Sequence, residues 1–128
     1  MRLSLQDDLP FIAVTLTYNG APLTITNVLV DTGSASTLFD ADRVAQVGLV
    51  PAPTDTLHTL RGIGGTEVVF VHQVDRLAVE EFGLDNFELE IGTVDYGFPI
   101  NGILGMDFLT RTGAILDLEA LTLEFTKT

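Results

Sequence analysis

The chain contains no cysteine, and its six basic residues face eighteen acidic ones. Without cysteine there can be no disulfide, no thiolate metal site and no cysteine nucleophile. The redox compartment is therefore left open. The shortage of bases leaves a net charge of −12. Such a surface repels the phosphates of nucleic acid and the headgroups of an anionic membrane, so neither partner is expected. No apolar run approaches the roughly 20 residues needed to cross a bilayer. The start, Met1-Arg2-Leu3-Ser4-Leu5-Gln6-Asp7-Asp8, turns acidic before an apolar signal segment can form. Cytoplasm is the default location, and a soluble domain of a longer or anchored protein is the alternative. There is no repeat, low-complexity tract or linker. No Ser/His/Asp triad can be assembled, and the acids lack the spacing of a calcium loop.

What is present is a globular composition, 46% hydrophobic and 19% charged. One domain, residues 1–128, is expected from that length. Val, Ile, Thr, Leu and Phe fill short runs broken by Gly, Asn, Asp and Pro, which predicts an all-β fold. Phe11–Thr17 and Leu23–Val30 read as strands joined by a turn at Asn19-Gly20. Ser36–Phe39 reads as a short strand. Asp40 is expected to cap a short helix over Ala41–Val47, ended by Gly48. Thr56–Leu60 and Thr66–Val71 read as hairpin arms around Arg61-Gly62-Ile63-Gly64-Gly65, followed by separate strands near Gln73–Val79 and Phe87–Ile91. Met106–Arg111 reads as a short helix. Ala114–Leu118 and Leu121–Phe125 read as a closing hairpin.

Three elements carry chemistry together. Asp31-Thr32-Gly33-Ser34 follows the apolar run Ile25–Val30, putting a carboxylate in a tight glycine turn at a strand end. A glycine-rich hairpin tip, residues 61–65, comes next. Ile103-Leu104-Gly105 then opens the last helix. In this order the three resemble the retropepsin-like aspartic proteases, the single-domain relatives of pepsin, over about Phe11 to Phe125.

That resemblance implies a closed all-β acid-protease barrel with one or two short helices and a flap hairpin. It also implies that the chain is half an enzyme. Only one Asp-Thr-Gly is present, and the chemistry needs two facing carboxylates, so a homodimer acting on polypeptide is expected. Asp31 would be the catalytic residue, supported by Thr32, Gly33 and Ser34. Thr32 would cross the dimer axis to the partner's loop, and Ser34 would donate to the outer oxygen of Asp31. Arg61, Gly62, Ile63, Gly64 and Gly65 would form the flap over an extended substrate. Ile103, Leu104 and Gly105 would pack beneath the catalytic loop. Two carboxylates about 3 Å apart share one proton, for which aspartic proteases are the standing example. The pair activates water directly, so no metal or other cofactor is implied, and apolar side chains are expected at the cut. The dimer would carry −24 (2 × −12), so salt should favour its assembly.

The chain departs from the family pattern in one place. Many retroviral members pair an acid two residues after the motif glycine with an arginine after the Ile-Leu-Gly glycine. Here Ala35 and Met106 occupy those positions, which implies a different way of securing the loop. Asp107 reads as a helix-surface acid. Asp75, Glu80, Glu81, Asp85 and Glu90 read as a solvated face. His58 and His72 read as surface or packing residues. Two other functions fit the same fold: a non-catalytic module that binds extended peptides, and a dimerisation domain.

Overall fold

A computed structural model describes residues 1–62, 65–94 and 99–127, and for residues 58–68 it describes the backbone alone. Strands dominate: β1 Ser4–Gln6, β2 Leu9–Tyr18, β3 Ala21–Val30, β4 Leu38–Asp40, β5 Thr56–Gly62, β6 Gly65–Val79, β7 Phe82–Gly92, β8 Gly102–Leu104, β9 Ala114–Asp117 and β10 Thr122–Phe125. The helices are short, α1 Ala41–Val44 running into a 3-10 turn, and α2 Met106–Arg111.

Eight strands form one sheet in the order β1-β2-β3-β8-β4-β7-β6-β5. A further pairing of β2 with β6, Thr15–Thr17 against Arg76–Ala78, closes β2, β3, β8, β4, β7 and β6 into a six-stranded barrel. Closure removes most of the unpaired strand edges of an open sheet. The β2–β3 turn follows its sequence signal. Asn19 and Gly20 both take positive φ, +48° and +81°, as a type I′ hairpin requires.

Two expectations are corrected. The segments on either side of His72 are one continuous strand, β6. Its first half pairs with β5 and its second half closes the barrel against β2 and β7. Asp40 stands at the N-cap position of α1, but its side chain makes no capping bond.

The barrel splits its apolar residues between two faces. Val28, Val30, Phe39, Leu89, Ile91 and Leu104 face the main core, where Phe108 of α2 meets Phe87 and Phe125 edge-on. Residues alternating with these face the other way. Direct pairings run from Phe11 to Leu29, Ile103, Leu38, Glu90 and Val71 across successive strands. Directly paired residues project to the same face, so these form one row. Phe11 and Leu29 cluster with Ile100 at one end of it.

The termini meet at β10. Leu3 N donates to Leu121 O and Leu123 N donates to Met1 O, each at 2.8 Å.

Candidate active site

Asp31 leaves the end of β3 in step with Leu29, and so projects from the face opposite the core. Its amide donates to Leu104 O at 3.0 Å, continuing the parallel pairing of β3 with β8. The chain then turns back. Ser34 N donates to Asp31 O at 3.2 Å, and Gly33 N donates to Asp31 Oδ1 at 2.9 Å. A Cβ on Gly33 would stand 3.2 Å from that oxygen, so glycine leaves the carboxylate its space. Asp31 is half-exposed, and Thr32 and Gly33 are exposed. Ser34 differs from expectation. Its hydroxyl donates to Ser36 O at 2.8 Å, bracing the loop's return rather than the Asp31 carboxylate.

The segment 103–108 cradles this loop. Ile103 and Leu104 belong to strand β8, not to the helix start. They are buried, Ile103 on the Asp31 face and Leu104 in the core. Gly105 then passes so close that a Cβ would lie 2.5 Å from Ser36 O and 3.0 Å from Ser34 O. No larger residue fits without moving one of the two backbones. Met106 N donates to Ser34 O at 2.8 Å, and Asp107 N donates to Ala35 O at 3.2 Å.

Asp107 is not a surface acid. Its Oδ2 accepts from Thr37 N at 3.1 Å, and its Oδ1 accepts from Thr37 Oγ1 at 2.8 Å and from Phe108 N at 2.8 Å. The Thr37 hydroxyl in turn accepts from Gly105 N at 3.1 Å. Thr37 is fully buried, so these groups have no access to water. The carboxylate thus secures the far end of the loop. No local sequence signal could reveal this, because Thr37 lies far from Asp107 in the chain.

The β5–β6 hairpin keeps its register to the end of the described ladder, with Arg61 opposite Thr66 and Gly62 opposite Gly65. Ile63 and Gly64 lie outside the described residues, as do the side chains of the other tip residues and of His58.

His72, at the hairpin base, has partners that its sequence context did not suggest. Its Nδ1 lies 2.8 Å from Asp55 Oδ1 and its Nε2 lies 3.2 Å from Tyr18 OH. The Ala52 amide donates to Asp55 Oδ2 at 2.7 Å. That amide, and then His72, hold the Asp55 carboxyl below its ordinary value of 3.8, against the opposing effect of burial.

The anticipated solvated face also divides. Asp75 accepts from Gly20 N at 2.9 Å, and Asp85 pairs with Arg76 at 2.8 Å, both exposed. Glu90 instead is only 4% exposed.

Beside Thr32 lies a groove of about 320 Å³ bounded by Val30, Met106, Leu109, Ala114 and Leu116. Among the described residues, no group of His, Asp and Glu stands close enough to hold a metal ion. No helix among them is long and apolar enough to cross a membrane.

The aspartyl protease family model matches residues 14–108, a span that includes both the Asp31 loop and its cradle. The chain belongs to that family. Its fold is that of a retropepsin-like aspartic protease from Rickettsia conorii, solved by crystallography. The two superpose with a TM-score of 0.69 at 17% identity, covering 95% of this chain and 86% of the other. No curated protein matches the chain in sequence. Family and fold together support peptidase activity.

Proposed function

We propose that the chain is a homodimeric aspartic endopeptidase, folded as a single domain over residues 1–128, whose active site is completed by a second copy. One observation carries this reading. The Asp31 loop is hydrogen-bonded from behind by residues 104–107, while Asp31 is half-exposed and Thr32 stands at the rim of an apolar groove. A single carboxylate so placed lacks the opposing acid that aspartic catalysis requires, and a two-fold pairing at Thr32 supplies it.

Asp31 is the catalytic residue. In the pair, one carboxylate takes a proton from a bound water as that water attacks the scissile carbonyl. The other, protonated, polarises the carbonyl oxygen. The resulting tetrahedral diol collapses when the amide nitrogen receives a proton, and the peptide bond breaks. Thr32 locks the two loops together, and Gly33 and Ser34 keep the turn tight. Ile103 lies on the Asp31 face and gives the cleft an apolar floor, favouring apolar side chains at the cut. Residues 61–65 act as the flap over the substrate. The substrate is an extended polypeptide bound through its main chain. The reaction needs no cofactor from this chain's residues.

The test is cleavage of a diverse peptide mixture between about pH 4 and 7, the range in which a carboxyl pair can share a proton. Cuts that vanish in Asp31→Asn, with fold and dimer retained, support the reading. Cleavage retained in that variant, or none from a chain shown to be dimeric, would overturn it.

A further inference from the structure

Glu90 is the least expected residue in the molecule. Its neighbours Leu89 and Ile91 point into the core. Glu90 therefore lies on the opposite face, in the row that runs from Leu29 through Ile103 and Leu38. That is the face from which Asp31 projects. A side chain there should be apolar or exposed, yet Glu90 is 4% exposed. Its amide is used, donating to Thr37 O at 2.9 Å. Its Oε2, however, is buried with no hydrogen-bond partner among the described residues. The flanking members of its row, Leu38 and Val71, offer no donor from their side chains.

Keeping a buried carboxylate oxygen without a donor is costly unless something else completes it. Paired strands lie roughly 4.8 Å apart, so three steps from β3 to β7 place Glu90 about 15 Å from the Asp31 loop. An extended substrate advances about 3.3 Å per residue. A side chain two or three residues from the cut, if as long as lysine or arginine, reaches that far.

Resting on the protease reading above, we propose that Glu90 is a specificity determinant: it forms the floor of a subsite for a basic side chain two or three residues from the scissile bond. The substrate's cation supplies the donor that the described residues do not, and the apolar walls at Leu38 and Val71 accept its methylene stem. The site thus combines an apolar preference at the cut with a cationic one further out. A strongly acidic protein also attracts such a substrate at long range.

The experiment uses matched peptides that differ only in lysine or norleucine at those outer positions, with the cut residues held apolar. The wild-type chain is expected to favour lysine at one of them by about tenfold or more in kcat/KM, as a desolvated ion pair allows. Glu90→Gln should bring the lysine-to-norleucine ratio in kcat/KM near one. Glu90→Leu should reverse the preference without loss of thermal stability.

The affinities of the same peptides for Asp31→Asn, with and without Glu90→Gln, separate this inference from the protease reading. A lysine preference in binding that depends on Glu90, in a wild-type chain that cleaves nothing, would sink the protease reading and keep the subsite. Equal affinity for the two peptides would overturn the subsite. So would marked destabilisation by Glu90→Leu, which would reveal an internal partner.

Discussion

Replacing Asp107 with alanine tests whether the loop is clamped from behind. The substitution removes both acceptors of Thr37, the one for its amide at 3.1 Å and the one for its hydroxyl at 2.8 Å. Hydrogen bonds to a charged group are worth about 1.5–3 kcal/mol each. Thr37 is fully buried, so water cannot replace them. The expected loss is about 3–5 kcal/mol, a large share of the roughly 5–15 kcal/mol that stabilises a domain. In thermal unfolding this is a fall in Tm of about 10–20 °C. Thr37→Val keeps the amide bond but loses both of the hydroxyl's, the one to Asp107 and the one from Gly105 N, so a loss of about 2–4 kcal/mol is expected. Combining the two should reveal a coupling of about 1–2 kcal/mol, because both remove the same hydroxyl–carboxylate contact. Urea denaturation of the four chains measures it. Strict additivity, or a loss below about 1 kcal/mol for Asp107→Ala, would refute the clamp.

Two further expectations follow from the same geometry. Gly105→Ala puts a methyl group 2.5 Å from Ser36 O, so one backbone must shift. A loss of about 1–3 kcal/mol is expected, together with a fall in peptidase activity larger than the loss of folded protein explains; full activity in that variant would show that the close approach is incidental. The Asp55 carboxyl is held below its ordinary value of 3.8, so its contribution to stability is complete above that pH and disappears as pH falls through the lower folded value. Urea midpoints of the wild type and Asp55→Asn should therefore differ near neutrality and draw together as pH falls below 3.8; a constant gap across that range would count against the network with Ala52 and His72.

Local signals carried much of the fold. The Asn19-Gly20 turn, the alternation in β2 and β3 and the closing hairpin of β9 and β10 lie where their residues place them. The strand–loop–cradle order of the Asp31 site was also legible, because glycine at 33 and 105 marks two places where backbones crowd. What escaped depends on contacts between distant segments. Asp107 opens a helix and looks like any first-turn acid until β4 brings Thr37 to it. Phe87-Glu88-Leu89-Glu90-Ile91 alternates as a half-solvated strand should. Only the burial of Glu90 in the folded chain shows that its second face is covered there. Ile103 and Leu104 were assigned to the helix start because a strand of three residues leaves no periodicity to read. His72 divided β6 into two in the sequence, since a polar residue amid valines reads as a break.

The cradle behind Asp31 also imposes an order in time. The Asp31 loop belongs to the first third of the chain, but most of the groups that brace it from outside come from residues 104–107. On a ribosome the loop emerges long before them. At roughly 5–20 residues per second, it waits several seconds without its scaffold. A nascent chain therefore cannot hold the Asp31 loop in its final geometry until residue 107 has been made.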